Sequence, residues 1–180
     1  MNTMLTSGRR ALFFRPLLIL LFGVFVATSG YGESVLVAVQ DITDIQEADD
    51  EYAAASRFHL TALEDGIMEV LFDGGHIVFN LGNYEHSTES RTQQRYTVRK
   101  VAEEGGAAFV VQLAVAFERT AEERLRPSSV DYELWEVNSG SAVLSGERSA
   151  PFGFSDELED RGSRSATLGR RIAEELLNAW

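Results

Sequence analysis

Residues 63–80 read LEDGIMEVLFDGGHIVFN, and the reading of this stretch decides the fold. Leu60, Leu63, Ile67, Val70 and Leu71 recur at spacings of three and four, the apolar stripe of a helix predicted over residues 53–72. Glu64, Asp65 and Glu69 fall mostly outside that stripe. Gly74 and Gly75 end the helix, since a left-handed cap favours a residue without Cβ. Residues 76–81, HIVFNL, then read as a strand. Helix, two glycines and strand make half of an α/β unit. His76 stands at the junction. Its place favours an architectural role, a polar entry residue whose ring bonds a helix-end carbonyl, over a catalytic one.

Upstream, residues 34–40 (SVLVAVQ) are apolar on both alternating faces, as in a strand covered on both sides. Residues 41–52 (DITDIQEADDEY) break that pattern, and their acids suit the positive end of the helix that follows. Downstream, residues 82–92 read as a polar loop and residues 93–104 as a second helix, again closed by two glycines, Gly105 and Gly106. Phe109, Val111, Leu113, Val115 and Phe117 alternate along the next strand. Residues 118–129 (ERTAEERLRPSS) read as a charged turn. The strand VDYELWEV follows, then an Asn138-Ser139-Gly140 hairpin turn and a returning strand, SAVLSGERS. A last helix begins between residues 156 and 167 and carries Leu168, Ile172, Leu176 and Ala179 on one stripe. The order is β-α-β-α-β-β-β-α, one α/β domain with a mixed sheet of about five strands and three helices.

The first residues indicate the compartment. Arg9, Arg10 and Arg15 precede an uncharged apolar run at residues 17–27, and small residues follow it. This is the pattern of a secretory signal peptide over residues 1–32, cleaved between residues 29 and 33, with the domain at 33–180. The run is shorter than the roughly 20 residues a bilayer span needs; an uncleaved amino-terminal anchor is the alternative. A periplasmic or secreted location follows. There is no cysteine, which removes disulfides, thiolate chemistry and a lipoprotein acylation site. Without Arg9, Arg10 and Arg15 the chain keeps 13 basic side chains against 28 acidic ones. So acidic a surface repels phosphate backbones and anionic headgroups, so neither nucleic acid nor direct lipid binding is expected.

Motifs for chemistry are sparse. Gly153-Phe154-Ser155-Asp156-Glu157 lacks the second glycine of a nucleophile elbow, and Ser155 reads as a turn or capping residue. His59 has no partner one helical turn on, since position 63 is leucine. His86, with Glu85 and Glu89 nearby, is the one metal-ligand candidate, and a solvated loop explains it equally simply. From Asp41 the calcium-loop positions hold Thr43, Ile45 and Gln46, so that motif fails, and no phosphate-cradling loop exists. The tail RRIAEELLNAW has helical spacing, which excludes a closing barrel strand and leaves Trp180 to pack the helix end onto the sheet. No cofactor and no enzymatic activity are expected.

The VLVAV strand (35–39), the long helix ending in Gly-Gly before IVFN (77–80), GGAAFVVQLAV (105–115) and the YELWEVNSGSAVLSGE hairpin (132–147) resemble a known arrangement. It is the small periplasmic domain shared by the curli-export channel subunit, the outer-membrane activators of penicillin-binding proteins and the amino-terminal domain of TolB. The resemblance spans residues 34–180. It implies a non-enzymatic role: assembling with, regulating or steadying an envelope machine. Those relatives are commonly lipoproteins, and the missing cysteine is a departure from them. The expected function is therefore an exported accessory or regulatory protein that contacts an envelope protein complex. A periplasmic binder of small ligands or cell-wall fragments is the alternative. Arg119, Arg124 and Arg126 in the charged turn, with Tyr84 in the other long loop, are the candidate partner contacts, since arginine and tyrosine are enriched at interface hot spots. The exposed sheet edges offer a route to homo-oligomers.

Overall fold

The computed structural model describes residues 32–43, 50–81, 91–120, 124–150 and 161–180. The signal-peptide segment 1–31, Tyr84, His86 and Ser155 lie outside the described residues. Eight elements follow the expected order: β1 (Ser34–Asp41), α1 (Asp50–Asp73), β2 (Ile77–Asn80), α2 (Arg91–Gly105), β3 (Phe109–Arg119), β4 (Leu125–Glu136), β5 (Ala142–Ser149) and α3 (Arg161–Ala179).

The doubly apolar β1 takes a central place, as its composition demands. It pairs in parallel with β2 on one side and with β3 on the other, and the sheet runs β2-β1-β3-β4-β5. β3, β4 and β5 are antiparallel. The chain steps outward from β1 to β2 and then back across β1 to β3. Crossovers of one hand in opposite directions put their helices on opposite faces. Val35, Val37, Val39, Val111, Leu113, Val130 and Leu134 meet Leu63, Ile67 and Leu71 of α1 and Ile172 and Leu176 of α3 on one face. Leu36, Ala38, Val110 and Trp135 meet Val98 and Ala102 of α2 on the other.

Both double glycines close their helices in the same way. Gly75 (φ 90°) and Gly106 (φ 71°) occupy the left-handed position. Across the first junction His76 N–H donates to the Leu71 carbonyl and Gly75 N–H to Phe72; across the second Ala107 donates to Ala102 and Gly106 to Glu103. This pair of bonds is the Schellman closure, which satisfies helix-end carbonyls before the chain turns into a strand. Where α1 and α3 cross, the backbones touch. A Cβ at Gly66 would lie 2.1 Å from the Ala166 carbonyl oxygen, and one at Gly169 2.2 Å from that of Leu63.

Three expectations are corrected. The stretch 118–129 is mostly strand: β3 runs on to Arg119 and β4 begins at Leu125, with a bulge at Ala116/Phe117 opposite Pro127. Leu125 is buried there, in the same core as Phe117, so a charged composition hides a core residue. Glu64 is buried instead of lying outside the stripe, because it faces Asn80 of β2. Ala179 is exposed, and Ala173 takes the place expected for it in the core.

Candidate functional site

The sheet ends in two edges of different chemistry. β2 is the first, four residues without charge, proline or glycine. Ile77 N–H donates to the Glu33 carbonyl and Leu81 N–H to that of Val37, so the odd-numbered residues bond β1. By alternation the N–H and C=O groups of Val78 and Asn80 face away from the sheet. Val78 leans on the core under α1 and α3, and Phe79 on the core under α2, where a Cβ at Gly105 would meet its ring at 2.8 Å. Two large apolar side chains border this edge in the open. Phe72, at the end of α1, is 69% exposed, and Ile77, at the start of β2, is 65% exposed.

Three acids lie near the same edge: Glu33, whose carbonyl accepts from Ile77, Glu64 of α1, which bonds Asn80, and Asp65 beside it. Glu64 accepts a hydrogen bond from Asn80 Nδ2 at 3.1 Å. Burial raises its pKa above the ordinary value of 4.5; the Asn80 bond opposes the shift and the charge of Asp65 adds to it.

β5 is the second edge, and it is charged and tied down. Arg148 pairs with Glu175 of α3, and the Tyr132 hydroxyl lies against that pair. Arg148 holds the Glu175 carboxyl below its ordinary range, and burial chiefly raises the Tyr132 hydroxyl. Gly146 lies flat on the Tyr132 ring. A groove of about 480 Å³ opens beside it, lined by Arg148, Leu168, Arg171, Ile172, Glu175 and neighbours.

The remaining singled-out residues are structural. His59 joins three elements, its Nδ1 2.9 Å from Ser165 Oγ and its Nε2 3.1 Å from the Leu125 carbonyl. That carbonyl only accepts, so Nε2 carries a proton and donates to it. His76 bonds the helix end through its backbone N–H, not through its ring as expected. The ring stacks on Trp180 at 4.3 Å and 17°, and Trp180 meets Phe109 edge-on at 4.7 Å, the packing role expected of it. Asp41 accepts from the Thr43 N–H and from the Tyr52 hydroxyl, whose pKa burial pushes far up. Trp135 is fully buried; Arg95 lies 5.0 Å over its ring and donates to Glu133 and to the Gly140 carbonyl, clamping the hairpin turn. Among the described residues no group of three metal-ligating side chains occurs.

Of the candidate contacts, Arg126 pairs with Glu118 across the β3–β4 hairpin at 2.7 Å. Arg124 closes the tip, its N–H donating to Thr120 Oγ1 and its carbonyl accepting from the Thr120 N–H. The charge of Arg119 reaches Tyr52. Two of the exposed large apolar side chains, Phe72 and Ile77, flank the β2 edge, and reasoning from the sequence missed that edge. The signal was available in IVFN, which carries neither charge nor proline, but only a strand known to lie at an edge needs them.

No family model and no curated protein matches the chain. Among solved structures, the chain is similar to the PelC dodecamer from Paraburkholderia phytofirmans, at 16% identity over 81% of this chain and 88% of that one, with a TM-score of 0.48. The LpoB C-terminal domain from Salmonella enterica is similar at 16% identity over 71% and 90%, with a TM-score of 0.41. TolB from Acinetobacter baumannii is similar at 14% identity over 82% of this chain and 28% of that one, with a TM-score of 0.37. TolB, named in the resemblance read from the sequence, is thus among the structures similar to this chain.

Proposed function

We propose that this chain is an exported accessory or regulatory protein that acts by protein–protein contact in the bacterial cell envelope. The observation that carries the reading is the β2 edge, uncharged, open and bordered by exposed Phe72 and Ile77 in a chain of net charge −12. A soluble protein that leaves large apolar side chains beside an unprotected strand edge is equipped for a partner. The basic and apolar pattern of residues 1–32 supports export by a cleaved signal peptide. The role is non-enzymatic: the buried polar groups Asp41, His59 and Glu64 are engaged in holding elements together. Arg119, Arg124, Arg126 and Tyr84 are proposed as further contacts with the partner.

The groove beside β5 is the place for the alternative, a binder of small ligands or cell-wall fragments. Its volume suits a ligand, but Arg148 is already paired with Glu175, which weakens it as an anchor. In-cell crosslinking of the tagged protein, followed by mass spectrometry, tests the proposal. Reproducible recovery of one envelope complex is expected, with less recovered when Arg124 and Arg126 are changed to glutamate. Recovery of the chain alone from intact cells overturns it.

A further inference from the structure

The two edges differ in what they allow to approach. β5 carries Glu147 and Arg148, and its second neighbour α3 holds Arg148 in place. An approaching strand would have to displace that pair or bury it, which costs free energy. β2 presents the N–H and C=O groups of Val78 and Asn80, and no residue of the strand itself is charged. Ile77 and Phe79 point to one side of the edge, and Val78, with Phe72 beyond it, to the other. An added strand therefore meets apolar surface on both faces at its centre. Toward its ends lie the exposed acids Glu33, whose carbonyl bonds Ile77, and Asp65, beside the Glu64 that bonds Asn80.

From this geometry we infer that β2 receives an extended segment of a different protein, apolar at its centre and carrying lysine or arginine on either side. The inference rests on the proposed partner-binding role and names the partner's chemistry. A second copy of this chain is the wrong occupant by charge. Edge-to-edge pairing of two copies would bring Glu33 and Asp65 of each toward those of the other, in a chain with 28 acids and 16 bases. A cationic segment meets those carboxylates favourably, and main-chain pairing supplies the docking, as in other strand-addition complexes.

The test uses the mature chain and a synthetic ten-residue peptide with four valines at its centre and three lysines at each end, followed by amide NMR. Saturable shifts centred on Val78 and Asn80 are expected. Ile77→Lys, at an exposed position, should weaken binding at least tenfold. Val78→Pro removes an outward donor without touching a bond to β1, and should do the same; a thermal melt establishes that each variant is folded. The same peptide with glutamate for lysine should not bind.

Shifts at Ala142–Ser149, shifts spread over the acidic surface, or binding that neither variant weakens would overturn the inference. So would binding of the glutamate peptide, no binding at millimolar concentration, or concentration-dependent self-pairing through β2. Recovery from cells separates the two levels. If wild type and Val78→Pro capture the same envelope protein equally, the edge is wrong and the partner-binding role stands. If nothing is captured, that role fails whatever the peptide does.

Discussion

β2 and β5 close the same sheet on opposite sides, and the chain treats them differently. β5 is eight residues long, exposed along most of its length, and would be the more hazardous edge if left bare. It is protected by Glu147 and Arg148, by the pair to Glu175, and by a bulge in its pairing with β4 at Leu134/Trp135. β2 is four residues long and carries none of these devices. Charge where the edge is long, and none where it is short and apolar, teaches that exposure alone does not mark a functional edge. The mark is exposure that the sequence leaves undefended.

The largest expected effect breaks the protected side. In Gly146→Val the new Cβ would begin 2.3 Å from the Tyr132 hydroxyl oxygen, so the Tyr132 ring or β5 must move. The overpacking should cost about 1–3 kcal/mol in urea unfolding. Gly75→Val acts on the open side. It places a β-branched residue at φ 90° in the turn that delivers β2, and should cost about 1–2 kcal/mol, read as a lower thermal midpoint.

A smaller effect sharpens the comparison through pH. Folded Glu64 holds its proton to higher pH than the unfolded chain, whose carboxyl titrates near 4.5. The native state binds more protons in that window, so stability falls as pH rises from 4.5 through the raised folded value. Glu64→Gln keeps an acceptor for Asn80 and removes that loss. Its stability should be flatter across the window and above wild type at neutral pH, in melts recorded from pH 4 to 8.

The smallest effect belongs to the ion pair on β5. Arg148→Ala should cost about 0–1 kcal/mol, less at high salt, because both partners are partly exposed. The depressed Glu175 pKa gives this contribution its sign: it is present above 4.5 and is lost as pH falls through the folded value.

How much of this was legible in the sequence depends on whether local pattern carries it. Val35 to Val39 announced a strand buried on both faces, and each Gly-Gly announced a left-handed closure, because periodicity and positive φ are properties of neighbouring residues. Leu125 was not legible, since one apolar residue among arginines and glutamates has no period, and only the register with Phe117 and Arg119 of β3 buries it. The Gly66–Gly169 crossing needs two helices a hundred residues apart to meet. Glu64 looked like a surface acid until β2 lay beside it. The open edge was hidden for the same reason. IVFN reads alike in the middle of a sheet and at its border, and strand order is set by the crossovers and not by the strand itself.

The most direct measurement places a photo-crosslinking residue at position 77, and separately at position 143 on β5, in the full chain in living cells. Ile77 and Val143 are both large, apolar and exposed, so accessibility alone does not distinguish them. The expected result is one discrete adduct with an envelope protein from position 77 and none of comparable strength from position 143. Equal adducts from the two positions, or an adduct from position 143 alone, would contradict the claim that the undefended edge is the one that binds.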